Sequence, residues 1–197
     1  MLVFTFTKLL VRVHSNTVLA LLFVSVGALL SAFLDALTVL AVMITVAGGF
    51  YAVYHRVASG QAHQAEDHDA SADDGVGDSH RSDLEQFRRF LCGLMMHGAI
   101  GTTIGGVCTL VGEPQNLLIG KEAGWDFIRF AVEMAPVTAP TVIAGLATCL
   151  LVEKLAWFGY GTAMPAAVRQ VLTEFERHES EQMTPRHLQV ILVQGIV

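Results

Sequence analysis

Two short stretches hold polar groups where chemistry is hard to explain otherwise. In "SAFLDALTVL", Ser31 to Leu40, Asp35 stands inside an apolar run that carries no other charge. In "TLVGEPQNLLIG", Glu113 and Asn116 flank Pro114 in surroundings that are as apolar. A carboxylate at the centre of a membrane helix costs about 2.5–3.5 kcal/mol on insertion scales, so such groups pair with others or line an ion path. Pro114 removes a backbone donor and disfavours helix at the residue before it, so the helix is expected to open near Gly112 and Glu113. Carbonyls freed by such an opening are tolerated in a membrane only against protein or a polar cavity. With Glu113, Asn116 and Thr109 they are hard oxygen donors suited to a small cation. The plainer readings are an Asp35 hydrogen-bonded across a helix interface and a proline kink with an asparagine hydrogen bond.

These residues need apolar elements to hold them, and the composition supplies them. Of 197 residues, 53% are hydrophobic and 15% charged, and the mean hydropathy is positive. That is the composition of a membrane protein. A spanning helix takes about 20 apolar residues, and Thr17–Tyr54, Phe90–Gly120 and Pro136–Phe158 qualify, with Leu188–Val197 as about half of another. The first run is long for one span and short for two. The net charge of −6 is local, because eight of the eighteen acids lie between Glu66 and Glu85. Cys92, Cys108 and Cys149 are scattered through apolar segments and read as small hydrophobes.

The expected organisation follows. Residues 1–16 form an interfacial lead-in rather than a signal peptide, and 17–54 a membrane hairpin or helix pair. Residues 55–86 make an acidic cytoplasmic loop, mobile because it has too few large apolar groups to offset its ordering entropy. Its histidines, His55, His63, His68 and His80, match no defined metal spacing. Residues 87–120 form a broken membrane helix whose Gly101 and Gly105 satisfy GxxxG. An interfacial helix at 121–135 precedes a transmembrane helix at 136–158. A cytoplasmic amphipathic helix at 159–187 buries Val168, Val171, Leu172 and Phe175 on one side, and a transmembrane helix starts at 188–197. All of the twelve Lys and Arg except Lys121 and Arg129 fall on one face, the cytoplasmic one. That count fits a re-entrant hairpin and a double crossing of 17–54 equally.

The two stretches, the second read as "IGGVCTLVGEPQNLLIG", resemble the ion transporter superfamily, whose arsenite, dicarboxylate and sodium/proton members carry patterns like SAFLDN-T and GTATLIGDPPN. Within it the chain is most similar to the NhaB-type sodium/proton antiporters, a likeness that "FTKLLVRVHS", "GFYAVYHRVAS" and "KEAGWDFIRFAVEMAPV" share. The resemblance implies an all-α membrane protein with "SAFLDALT" at the tip of a re-entrant or broken hairpin and "GEPQN" at the break of a discontinuous helix, the two forming one ion site in the first repeat of an inverted-repeat transporter. Asp35 falls where relatives have Ser or Asp, Glu113 takes the place of a Thr or Asp, and Asn116 matches the asparagine that closes the motif. Ala36 replaces a common asparagine and Gln115 a second proline.

The function so implied is sodium/proton antiport, proton-driven sodium export across the bacterial inner (cytoplasmic) membrane by a multi-pass protein. Sodium is expected at Asp35, Glu113 and Asn116, with Ser31, Thr38, Thr109 and carbonyls near Gly112 completing the site. Sodium and protons are the transported species, no resident cofactor is expected, and the bilayer and the second repeat are the expected partners. A homodimer is compatible with this, and nothing points to nucleic acid. Since the last apolar run stops after about half a span, the chain is expected to be a piece that does not transport alone. The rivals are a transporter of arsenite or a carboxylate on the same scaffold, and a membrane-anchored interaction module. No nucleophile elbow, phosphate loop or metal motif suggests an enzyme.

Overall fold

A computed structural model describes residues 13, 15–60 and 77–182. Among them every regular element is helical: α1 Asn16–Ser31, α2 Ala36–Ala58, α3 Asp78–Gly106, α4 Pro114–Ala123, α5 Phe127–Leu155, a 3₁₀ turn Trp157–Gly159, and α6 Ala166–Gln182. The reading of 188–197 lies outside the described residues, as do His63, His68 and nearly all of the 1–16 lead-in.

The first apolar run splits at Asp35. This aspartate is the N-cap of α2 and accepts from the Thr38 amide at 3.0 Å, as short polar side chains do for the orphan donors of a helix start. It is exposed on the chain rather than embedded in a continuous helix. α1, with 16 residues, is about 24 Å long, and α2, with 23, about 35 Å. Among the described residues, α2 and α5 are the helices both long and apolar enough to cross a bilayer.

Glycine decides how α1 meets α3. A methyl built on Gly101 would lie 2.3 Å from the Val24 carbonyl oxygen, and one on Gly105 would lie 2.1 Å from that of Ala28. Backbone therefore rests on backbone, the use small residues have between membrane helices. Since Val24 meets Gly101 and Ala28 meets Gly105, α1 and α3 run parallel. α2 runs antiparallel to both: Tyr54 sets its ring edge-on to Phe87 at 5.7 Å, while Met43, eleven residues earlier, meets Gly98. α5 is also antiparallel to α3, with Gly145 beside Ile104 and Glu153 beside His97.

The main core gathers Phe23, Phe50, Tyr54, Phe87 and Leu94 with Val168 and Leu172 of α6. The amphipathic face of α6 is thus spent on the chain's own helices, Val171 packing at its margin. Several boundaries differ from the sequence reading, among them those of α3 and α5. α3 begins at Asp78, inside the segment read as loop to 86. α5 runs unbroken from Phe127 through Pro136 and Pro140, where an interfacial helix was expected to end at 135. Proline in a membrane helix forfeits one hydrogen bond that neighbours can restore, so it need not mark an end.

Alanine at two glycines separates close approach from helix propensity. A methyl added at Gly48 would meet nothing within 4 Å, so Gly48→Ala is expected to stabilise by about 0.5–1 kcal/mol. Gly105→Ala is expected to destabilise by about 1–3 kcal/mol or more, since a backbone must move. Thermal midpoints of the full-length protein in detergent check the opposite signs.

Candidate functional site

The site grows from the end of α3. After Gly106 the chain leaves helical geometry through residues 107–113 and re-enters at Pro114, the first residue of α4. Glu113 is extended (φ −138°, ψ 141°), as a residue before proline prefers. The opening begins six residues earlier than Pro114 alone would require, at the glycine pair Gly105-Gly106.

Two side chains, Asn116 and Thr109, take carbonyls at and beside the break. Asn116, 5% exposed, donates from Nδ2 to the Gly106 oxygen at 3.0 Å and to the Thr109 oxygen at 2.8 Å. The Thr109 hydroxyl donates to the Ala32 carbonyl and accepts from the Gly112 amide at 3.1 Å. Gly112 itself is wedged so that a methyl there would lie 2.4 Å from the Gly106 oxygen and 2.8 Å from the Ser31 oxygen. The break is thereby tied to the end of α1.

A carboxylate and a hydroxyl converge over Gly106. A methyl on that glycine would lie 2.9 Å from Glu113 Oε1 and 3.2 Å from Ser31 Oγ. Glu113 makes no capping bond to α4, and its other oxygen accepts from Gln115 Nε2 at 3.4 Å. Ser31 is fully buried, and its hydroxyl has no hydrogen-bond partner. A buried hydroxyl left unpaired costs roughly 1–3 kcal/mol, so a polar guest is favoured there.

Five of the seven expected residues, Ser31, Thr109, Gly112, Glu113 and Asn116, therefore meet at one place. Asp35 and Thr38 do not join them by any described contact: Asp35 Oδ2 accepts from the Thr38 amide and from its hydroxyl at 3.2 Å, both residues being exposed. They stand at the tip, three and six residues past Ala32. Gly106 was missed by sequence reasoning, although the glycine pair before the break was its signal. The Ala32 carbonyl left no signal at all. Among the described residues no cluster of three or more His, Cys, Asp or Glu forms. A cation here would rest on one carboxylate and neutral oxygens, a donor set that suits a hard cation of low charge.

The family model described as bacterial Na+/H+ antiporter B (NhaB) matches residues 1–197. The chain belongs to that family. It is similar to the Na+/H+ antiporters NhaB of Hahella chejuensis (56% identical over 197 residues), Marinobacter nauticus (56% over 196) and Aeromonas hydrophila (54% over 197). Each alignment covers 100% of this chain, which spans 39% of the first two relatives and 37% of the third. No solved structure is significantly similar to it. The helical architecture, with two helices able to cross a bilayer, fits an NhaB membrane protein.

Thr109→Val removes both the donor to Ala32 and the acceptor for Gly112, whereas Thr109→Ser keeps both. Hydrogen exchange at the Gly112 amide is expected to quicken about tenfold in the valine variant, the equivalent of a lost bond of ~1.4 kcal/mol. It should stay unchanged in the serine variant.

Proposed function

We propose that this chain forms one half of the ion path of a sodium/proton antiporter, the first repeat of an inverted-repeat transporter in a bacterial inner membrane. The observation that carries the reading is the buried, unpartnered Ser31 hydroxyl beside the Glu113 carboxylate at an opened helix. Interrupted helices whose free backbone groups face a midplane cavity are how secondary transporters hold their ions.

In this reading sodium rests on Glu113 and Ser31, with the Gly106 and Thr109 carbonyls oriented by Asn116, and Asp35 with Thr38 forms the charged tip. A bound cation favours the ionised carboxylate, and burial favours the protonated one. Sodium and protons therefore compete for the same oxygens. If the loaded site faces either side while the empty, charged site moves poorly, competition becomes exchange. The charge distribution supports the orientation: Arg56, Arg88, Lys154 and Arg169 gather at the end where α2 and α5 finish and α3 begins, with Lys121 and Arg129 opposite. A multi-pass protein with its second repeat completing the path, alone or as a homodimer, follows from this arrangement.

Transport of an anionic solute fits less well, because residues 105–116 carry no cation. The docking-module alternative is weakened by α6, whose Val168 and Leu172 are already buried against the bundle.

The test is sodium-driven pH change in vesicles carrying the full-length polypeptide. Glu113→Gln and Asp35→Asn are each expected to weaken apparent sodium affinity about tenfold or more, and Ser31→Ala to do so while leaving both carboxylates in place. Exchange intact in Asp35→Asn removes the tip from the site, and exchange intact in Glu113→Gln removes the site itself.

A further inference from the structure

About 14 Å back along α3 from the break, nine residues before Gly106, a second polar cluster is buried. His97 is 1% exposed. Its Nδ1 lies 2.8 Å from the Gly93 carbonyl one turn earlier, and its Nε2 lies 3.4 Å from the Cys149 carbonyl and 3.9 Å from Glu153 Oε2. The Glu153 side chain is 9% exposed. Both ring nitrogens thus face acceptors.

A neutral imidazole has one N–H and one lone pair, so one nitrogen would turn its lone pair on an acceptor. Adding one proton resolves this, and a second contact says where it resides. Glu153 Oε2 already accepts from the Gly161 amide at 3.3 Å, a bond that an ionised carboxylate oxygen accepts better than a carboxylic hydroxyl does. The proton belongs on the ring.

We propose that His97 and Glu153 form a proton-binding site, a buried imidazolium–carboxylate pair that clips α5 and the loop after it to α3. The reading is independent of the ion site at Glu113.

Among the described residues, Arg89 is the other formally charged group that lines the cavity beside the pair. From α5 the pair meets Glu153 itself and Cys149, and from the loop Tyr160, whose ring stands edge-on to His97 at 5.0 Å. Burial pushes the Tyr160 phenol up, with Cys149 and Glu153 adding to the effect, so it remains neutral. α1 contributes Asn16 and Ala20, and α3 contributes Arg89, which lies within ion-pair distance of Glu85, 3.7 Å, at the surface. A cavity of about 20 Å³ beside the pair has space for one water.

The clip reaches three helices. Gly161, held by Glu153 through its amide, accepts from Asn16 Nδ2 at 3.4 Å through its carbonyl. Gly161 adopts φ +76°, and a methyl there would sit 3.0 Å from the Glu153 carbonyl oxygen, so the loop has little room to rearrange. Loss of the proton leaves three acceptors around a ring with one N–H, and the contact between α3 and α5 loosens. Proton occupancy at this cluster would then bias the same helix that opens nine residues later.

The experiment is nitrogen-15 NMR of the full-length polypeptide, labelled at histidine, in nanodiscs at pH 7. The His97 signal is assigned through its contact with Tyr160, so no variant of His97 is needed. Two protonated ring nitrogens are expected in the wild type. In Glu153→Gln the carboxamide can donate to Nε2, and the ring is expected to become neutral with its proton on Nδ1. A neutral ring in the wild type overturns the proposal, as does a doubly protonated ring that persists in Glu153→Gln.

Discussion

Backbone contact between α1 and α3 is the constraint on which the rest depends. Val24 and Ala28 lay their carbonyls where Gly101 and Gly105 have no side chains, at distances that exclude even a methyl. That contact fixes two helices in parallel and in one register. Register then carries Ser31 to Gly106 and Ala32 to Thr109. Any larger residue along the stripe would lift the end of α1 off the break and leave Glu113 facing no hydroxyl.

Side chains within the protein take up some of the backbone groups that the break frees, as a helix opened away from water needs. Asn116 takes two carbonyls and Thr109 links the break to α1 in one direction and to Gly112 in the other. What is left over is informative. One buried hydroxyl, Ser31, has no partner, and one half-buried carboxylate, Glu113, caps nothing. Polar groups that a fold could have satisfied and did not are candidates for holding a ligand.

Much of this was legible from residue types. Gly101 and Gly105 announced a close helix contact, Pro114 an extended Glu113, and Val168 and Leu172 the buried face of α6. The failures have physical causes. Residue types alone show Asp35 as an embedded charge, because hydropathy has no term for capping; the family resemblance already implied a hairpin tip there, and Asp35 caps α2. Pro136 looked like a boundary because its effect on local geometry is legible while restoration by neighbours is not. The pairing of Ser31 with Glu113 spans 82 positions and depends on register that only packing sets. His97 and Glu153, 56 positions apart, were invisible for the same reason.

α3 therefore has two polar stations, one at its open end and one near its middle, joined by a single rigid helix. The central claim is that the first binds sodium on Glu113. Carbodiimide labelling of Glu113 in full-length protein, read by mass spectrometry with and without sodium, tests it most directly. Sodium is predicted to block the labelling, and Ser31→Ala to raise the sodium concentration needed about tenfold. Labelling at Glu113 that sodium leaves unchanged would contradict the account.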